Sequence, residues 1–404
     1  MTTSTRPVAV PVTRRFPLGP LLLLSLGVFV TVTAESLPAG LMPEMAADLR
    51  VDPLQIGLLV SVWALVVIVT SLPLARASAS LDRRVVVAGA LAVFALANLA
   101  TALSPTYAFA FGTRIVAAVA HGVFWAIVMV YATSLLDAAS LGAGLAIVTG
   151  GGTAANVFGL PLATALAQVT SWRVAFTAMG VGMLALAAVI LFRMPRSVVE
   201  RRVAGVRTPL LRDRSLPALV VYGVVGVLIG LAQFASFTYV RPYLSEAALI
   251  PDGWASVMLF VFGIAGLLGV AAAGLLADRF PRSSLSVTLT LLAGAYASLA
   301  LAPRSVPVVV AAFVVWGAAT GAMFPLIQTA LMRTASDALR ALASAAIIVL
   351  FNIGIAGGSW IGGLLGEQAG PTAGPAMSAV AVLLAAGGAA IAAALARRRS
   401  QSPA

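Results

Sequence analysis

The chain has 404 residues, 61% of them hydrophobic and only 9% charged, with a mean hydropathy of +1.05. A water-soluble domain carries about a quarter charged residues, so this composition excludes one. The net charge of +12 does not point to nucleic acid, because the basic residues sit between apolar stretches rather than on one soluble face. All of them are arginine, which excludes a lysine-bearing phosphate loop and hence nucleotide-driven pumping. There is no cysteine, so disulfides and thiol chemistry are excluded. The single histidine and scattered carboxylates offer no metal cluster, no paired acids and no nucleophile–base set. No cofactor and no enzymatic activity are expected.

The first apolar stretch follows Arg14 and Arg15 and includes Leu21 to Leu24, which resembles a cleaved signal peptide. It runs on to Leu41 and more apolar stretches follow, so it is expected to stay as a span. In chain order the expected spans are 18–41, 54–76, 85–104, 107–133, 142–166 and 172–193, then 216–240, 254–277, 284–303, 306–332, 341–365 and 374–396. Each is near the roughly 20 residues that cross a bilayer as a helix. Helices are required because lipid satisfies no backbone polar group, and the alternating segments of a barrel are missing. The predicted architecture is an all-α integral membrane protein of twelve transmembrane helices in two pseudo-symmetric six-helix bundles. Its parts are an N-terminal tail (1–17), a first bundle (18–193), a basic linker (194–215), a second bundle (216–396) and a C-terminal tail (397–404).

Arginine placement sets an expected orientation. With the N-terminus in the cytoplasm, that side holds 20 arginines, seven of them between Arg193 and Arg214. The outer side keeps only Arg50, Arg173, Arg241 and Arg304. Both tails and the linker are then cytoplasmic, in a bacterial inner membrane. Arg114 belongs to no loop.

The two halves repeat. Asn156 and Asn352 are 196 residues apart, and His121-Gly122 and Trp316-Gly317 are 195 apart. Each half also has a short basic loop after its second span, at Leu81 to Arg84 and at Asp278 to Arg282. Duplicated transporters often place their site at the interface between repeats, near the bilayer midplane.

The stretch Gly274-Leu275-Leu276-Ala277-Asp278-Arg279-Phe280-Pro281-Arg282 resembles the loop motif Gly-x-Leu-Ala-Asp-Arg-x-Gly-Arg of the major facilitator superfamily, with Pro281 in place of a glycine. There Asp278 would cap and pair near helix ends while Arg279 and Arg282 hold the cytoplasmic face; a plain positive-inside loop is the competing reading. The first-half copy is degraded. Span five carries Gly150, Gly151, Gly152, Asn156, Gly159 and Pro161 and is similar to the antiporter motif of exporters in that superfamily. Leu160 intervenes before the proline, and Ala163 stands where a glycine is common. Small residues in membrane helices also serve generic close packing. The segments Thr33 to Pro43 and His121 to Trp125 resemble the twelve-span drug:proton antiporters, in their sugar-efflux and chloramphenicol-exporter-like branch. The resemblance implies a monomer.

Glu35, six residues from the expected end of span one, is the carboxylate placed inside the hydrocarbon. A buried acid is costly in a membrane and normally faces a cavity or partner. Desolvation favours a neutral carboxyl and a nearby cation favours the ionised one, so a group alternating between such surroundings moves protons. An outer-interface position without a transport role is the alternative. Arg114 lies at similar depth in span four, at the arginine position of the family's fourth-span motif but without the usual Gln-Gly. A Glu35–Arg114 pair that protonation releases is expected, against a purely structural arginine. His121 and Trp125 share the face of Arg114; a neutral His121 would relay protons or bind substrate, or simply pack. Trp125, Asn156, Gln233, Gln328 and Asn352 are expected to line the substrate cavity, with helix packing as the rival role. The gating set is Gly159, Pro161, Gly274, Asp278, Arg279 and Arg282.

The expected function is export of a small organic molecule (drug, sugar or metabolite) in exchange for protons, by rocking of the two bundles in the bilayer. An importer of sugars or other nutrients shares this fold. A non-transporting receptor would need a signalling domain that the short loops and tails do not supply.

Overall fold

The computed structural model describes residues 16–78, 80–137, 140–196, 213, 215–281, 283–336 and 339–401. Arg282, most of the basic linker and the first 15 residues lie outside the described residues. Among the described residues the regular structure is entirely helical. The first six long helices are α1 (Leu18–Gly40), α2 (Pro53–Ala77), α3 (Arg83–Ala102), α4 (Tyr107–Ser134), α5 (Leu141–Ala154, continuing as Leu160–Val169) and α6 (Trp172–Arg193). The other six are α7 (Leu216–Phe237), α8 (Ala255–Arg279), α9 (Ser284–Leu301), α10 (Val306–Thr334), α11 (Arg340–Ala369) and α12 (Ala373–Gln401). Among the described residues, twelve segments are long and apolar enough to span a membrane.

Local chemistry sets the helix ends. Asp82, Thr106 and Ser171 cap α3, α4 and α6 by accepting from the backbone N–H groups of Arg84, Phe109 and Val174. Helix α1 ends at Gly40, and a short helix, Met42–Leu49, starts afresh with Pro43 in its first turn. Helix α7 stops at Phe237, short of the expected 240, and the chain continues through short turns containing Pro242 and a wide turn at Tyr243–Ala247. Pro242 has no N–H to return to the carbonyl of Thr238, so the regular ladder cannot pass. Helix α12 runs on to Gln401, into the expected tail.

The buried apolar residues divide into a cluster from α1 to α6 and a larger one drawn mainly from α7 to α12. Helix α1 packs on α5, α2 on α4, α7 on α11 and α8 on α10. The halves meet along two seams, α2 against α11 and α5 against α8. Contacts of α1 with α4 and of α7 with α10 close a ring of eight helices around the space between the halves. Helices α3, α6, α9 and α12 stand outside that ring, packed on its members.

Along the second seam, Ala155–Gly159 forms a wide turn inside α5. Pro161 explains it: without an N–H toward Val157, the helix accommodates the missing bond by a π-type turn. A Cβ on Gly263 of α8 would sit 2.5 Å from the Asn156 carbonyl oxygen and 2.6 Å from Val157 Cα. Glycine there lets the second half approach the backbone of this turn.

Candidate functional site

Pro38 organises the first-half site. Lacking an N–H, it leaves the Ala34 carbonyl without its normal helical donor. Arg114, fully buried on α4, fills that vacancy: Nη1 donates to Ala34 O and Nη2 to Glu35 O, both at 3.1 Å. Its guanidinium lies over the Trp63 ring at 4.1 Å, a favourable cation–π placement. The expected ion pair with the Glu35 side chain is therefore corrected, for Arg114 is bound to the main chain of α1 rather than to the carboxylate. Protonating Glu35 would leave both bonds of Arg114 intact in this conformation.

The Glu35 carboxylate instead lies beside His121, with Oε2 at 3.6 Å from Nε2. The Glu35 side chain keeps 22% of its exposure and that of His121 only 6%. His121 is enclosed by rings: Trp63 at 5.1 Å, Phe94 at 5.9 Å and Trp125 at 6.2 Å. His121 Nδ1 and Trp63 Nε1 are both buried and have no protein partner. Glu35, Arg114 and His121 thus form one cluster inside the spans, and Trp125 borders it. Trp63 and Phe94 complete the enclosure. Their spacing relative to Arg114 and His121 in sequence carries no signal, since they arrive from α2 and α3.

The second half carries a neutral counterpart. Gln233 of α7, 198 positions after Glu35, meets Trp316 of α10, 195 positions after His121. Gln233 Oε1 accepts from Trp316 Nε1 at 2.8 Å, Tyr296 Oη at 3.0 Å and Thr320 Oγ1 at 3.1 Å. Both halves therefore set a side chain of their first helix against a ring nitrogen of their fourth. The first half uses an acid and an imidazole; the second uses an amide and an indole.

The other expected cavity residues do not join these clusters. Asn156 and Asn352 each donate to a carbonyl of their own helix, Gly152 at 3.1 Å and Ile348 at 2.9 Å. Their matched behaviour reflects the repeat. Gln328 is half-buried on α10.

At one end of the bundle a buried arginine links the halves, which sequence reading had placed in a loop. Arg241, only 2% exposed, donates to Glu44 Oε1 at 3.0 Å and to Gly40 O at 3.2 Å, with Asp252 at 3.9 Å. Glu44 and Asp48 lie four residues apart, on one side of the short helix after α1, and Asp48 pairs with Arg173 at 2.8 Å. Gln168 of α5 donates to the Asp252 carbonyl across the same end. Tyr239 donates to Ser359 O at 2.8 Å, and its hydroxyl occupies the space a Cβ on Gly57 or Gly363 would need. At the other end, Asp278 pairs with Arg333 of α10 at 2.9 Å, and Arg333 also donates to Ala277 O at 2.7 Å. That contact lies within the second half. Gly274 and Arg279 are exposed beside it, while Gly159 and Pro161 are buried at the α5 seam.

Comparison with known proteins agrees with this architecture. The family model for the Major Facilitator Superfamily matches residues 24–249 and 223–404. Chloramphenicol efflux pumps of two Mycobacterium tuberculosis strains are 30% identical to the chain over 352 residues, covering 85% of both proteins in each case. Among solved structures, a bacterial homologue of the human lysosomal transporter Spinster, inward-facing and unoccupied, superposes with a TM-score of 0.76 at 15% identity, covering 97% of this chain and all of the other. The human organic anion transporter MFSD10 superposes with a TM-score of 0.68 at 16% identity, covering 93% of this chain and all of that one. A multi-pass fold of twelve spans around an eight-helix ring, matched along nearly its whole length, is that of a small-molecule transporter rather than an enzyme, and the chain belongs to the major facilitator superfamily.

Proposed function

We propose that this protein exports a drug-like organic solute from the cytoplasm in exchange for protons, by alternating access and as a monomer. It sits in the bacterial inner membrane with both termini cytoplasmic, so the Arg241 end faces outward and is closed in this conformation. The observation that carries the reading is the intramembrane carboxylate of Glu35, partly exposed beside His121 and close to the buried charge of Arg114. Such a group is expensive to keep in a membrane unless it serves a pathway. Similarity to efflux pumps supports outward transport of drugs. One proton crossing 100 mV supplies about 2.3 kcal/mol, and one pH unit adds about 1.4 kcal/mol. Together they sustain a concentration ratio of roughly several hundred. In this scheme Glu35 and His121 exchange the proton, while Arg114 ties α4 to α1 and supplies a fixed positive charge.

The test is accumulation of a panel of drugs and sugars in bacteria stripped of their own exporters, with wild type and Glu35→Gln, with and without an uncoupler. Wild type should lower accumulation of at least one compound, and both the substitution and the uncoupler should abolish this at equal expression. Raised accumulation would identify an importer. Normal export by Glu35→Gln would remove Glu35 from proton coupling.

A further inference from the structure

The Gln233 amide is locked in one orientation. An indole N–H can only donate, so the atom 2.8 Å from Trp316 Nε1 must be the amide oxygen. The Tyr296 and Thr320 hydroxyls converge on the same oxygen. Trp316 itself cannot swing away. It is 1% exposed and wedged among Phe262 at 5.1 Å, Phe313 at 5.3 Å, Tyr296 at 5.3 Å and Phe237 at 6.1 Å. A flipped amide would set its own N–H groups against the indole N–H.

The oxygen points toward α9 and α10. The Nε2 group is therefore turned away from these three donors. Gln233 is 5% exposed, and among the described residues nothing accepts from its two N–H groups. Unlike His121 Nδ1 and Trp63 Nε1, this nitrogen is not sealed off by protein atoms, so its N–H groups reach accessible space where a ligand oxygen can meet them. The counterpart position in the first half is the acid Glu35, so charge and neutral recognition fall in different halves.

We propose that Gln233 Nε2 is the substrate-recognition donor of the second half, binding an oxygen acceptor on a neutral solute, such as an amide carbonyl or a nitro group. Trp316, Tyr296 and Thr320 are positioning residues that hold the amide oxygen and so aim the nitrogen. The inference rests on the export reading above and names the chemistry that reading leaves open.

Chloramphenicol is a suitable probe, since it carries both an amide carbonyl and a nitro group. Equilibrium binding to purified wild type and Gln233→Met is measured for three ligands: chloramphenicol, its deacylated amine, and the analogue with hydrogen in place of nitro. Gln233→Met keeps the side-chain length and removes the donor. Wild type should bind one analogue about 10- to 100-fold more weakly than chloramphenicol, the range expected for a buried donor left unpaired. In Gln233→Met that discrimination should shrink to within about 2-fold for the same analogue, and Trp316→Phe should reduce it partway. A uniform loss of affinity for all three ligands, or unchanged discrimination, would overturn the assignment. Proton-driven export by wild type in proteoliposomes separates the two claims: export with unaltered discrimination in Gln233→Met sinks only the donor role. No binding and no export of chloramphenicol by wild type sinks both the drug-export reading and the assignment.

Discussion

Arg241→Met should open the end of the bundle that this conformation keeps closed. Arg241 is 2% exposed and joins the second half to Glu44 and to the Gly40 carbonyl of the first. The exposed Asp252 at 3.9 Å adds little. Removing one partner of a buried pair costs about 3–5 kcal/mol. These bonds cross between halves, so they are lost when this end opens, and the cost falls on the closed conformation. Taking about 3 kcal/mol, the ratio of closed to open molecules should drop roughly 100-fold. The chain has no cysteine, so spin labels go on Val169→Cys and Trp254→Cys without background. Both residues are exposed, on opposite halves at this end. Electron–electron resonance should show a single short distance in the parent and a dominant longer one in Arg241→Met. Replacing both partners, as Arg241→Met with Glu44→Leu, leaves no orphaned charge and should restore much of the short distance. An unchanged distance distribution in Arg241→Met would refute the reasoning, since the bond would then carry no conformational preference.

Two further outcomes are expected. Gly263→Ala should slow transport at normal expression, because its Cβ would lie 2.5 Å from the Asn156 carbonyl and overpacking costs about 1–3 kcal/mol; Gly182→Ala, which meets nothing within 4 Å, should be silent in the same proteoliposome assay. Burial holds the Tyr243 hydroxyl, a donor to Leu299 O at 2.8 Å, above the ordinary phenol range. The folded state then keeps a proton that the unfolded chain releases near pH 10. Its contribution to stability is whole below about pH 10 and declines above it, so melting temperature should fall in alkali, and Tyr243→Phe should flatten that fall.

Pro38, Pro161 and Pro242 show how far the linear chain carries its own structure. Each removes one N–H, and each marks a place where the helix yields: a freed carbonyl on α1, a wide turn in α5, the end of regular helix in α7. The twelve spans follow from hydropathy alone, because lipid forces any long apolar stretch into a helix. The depth of Glu35 and Arg114 and the common face of Arg114, His121 and Trp125 were equally open to reading, since helical periodicity and distance along a span are local quantities. The halves' correspondence was visible too, through Asn156 with Asn352 and His121 with Trp316.

The partners were not. Glu35 and Arg114 were expected to pair as opposite charges, yet the arginine's nearer need is met by the carbonyl that Pro38 leaves open. Trp63 stacks on Arg114 from another helix, and Gln233 gathers donors from α9 and α10 onto one oxygen. Arg241 sits in a segment that counts as a loop by sequence and is nevertheless buried between the halves. Which side chains meet across helices depends on rotation and packing of elements far apart in the chain. Local sequence sets the helices and their depth; long-range packing alone decides that the acid faces a histidine, that three donors hold the amide oxygen of Gln233, and that one end is locked.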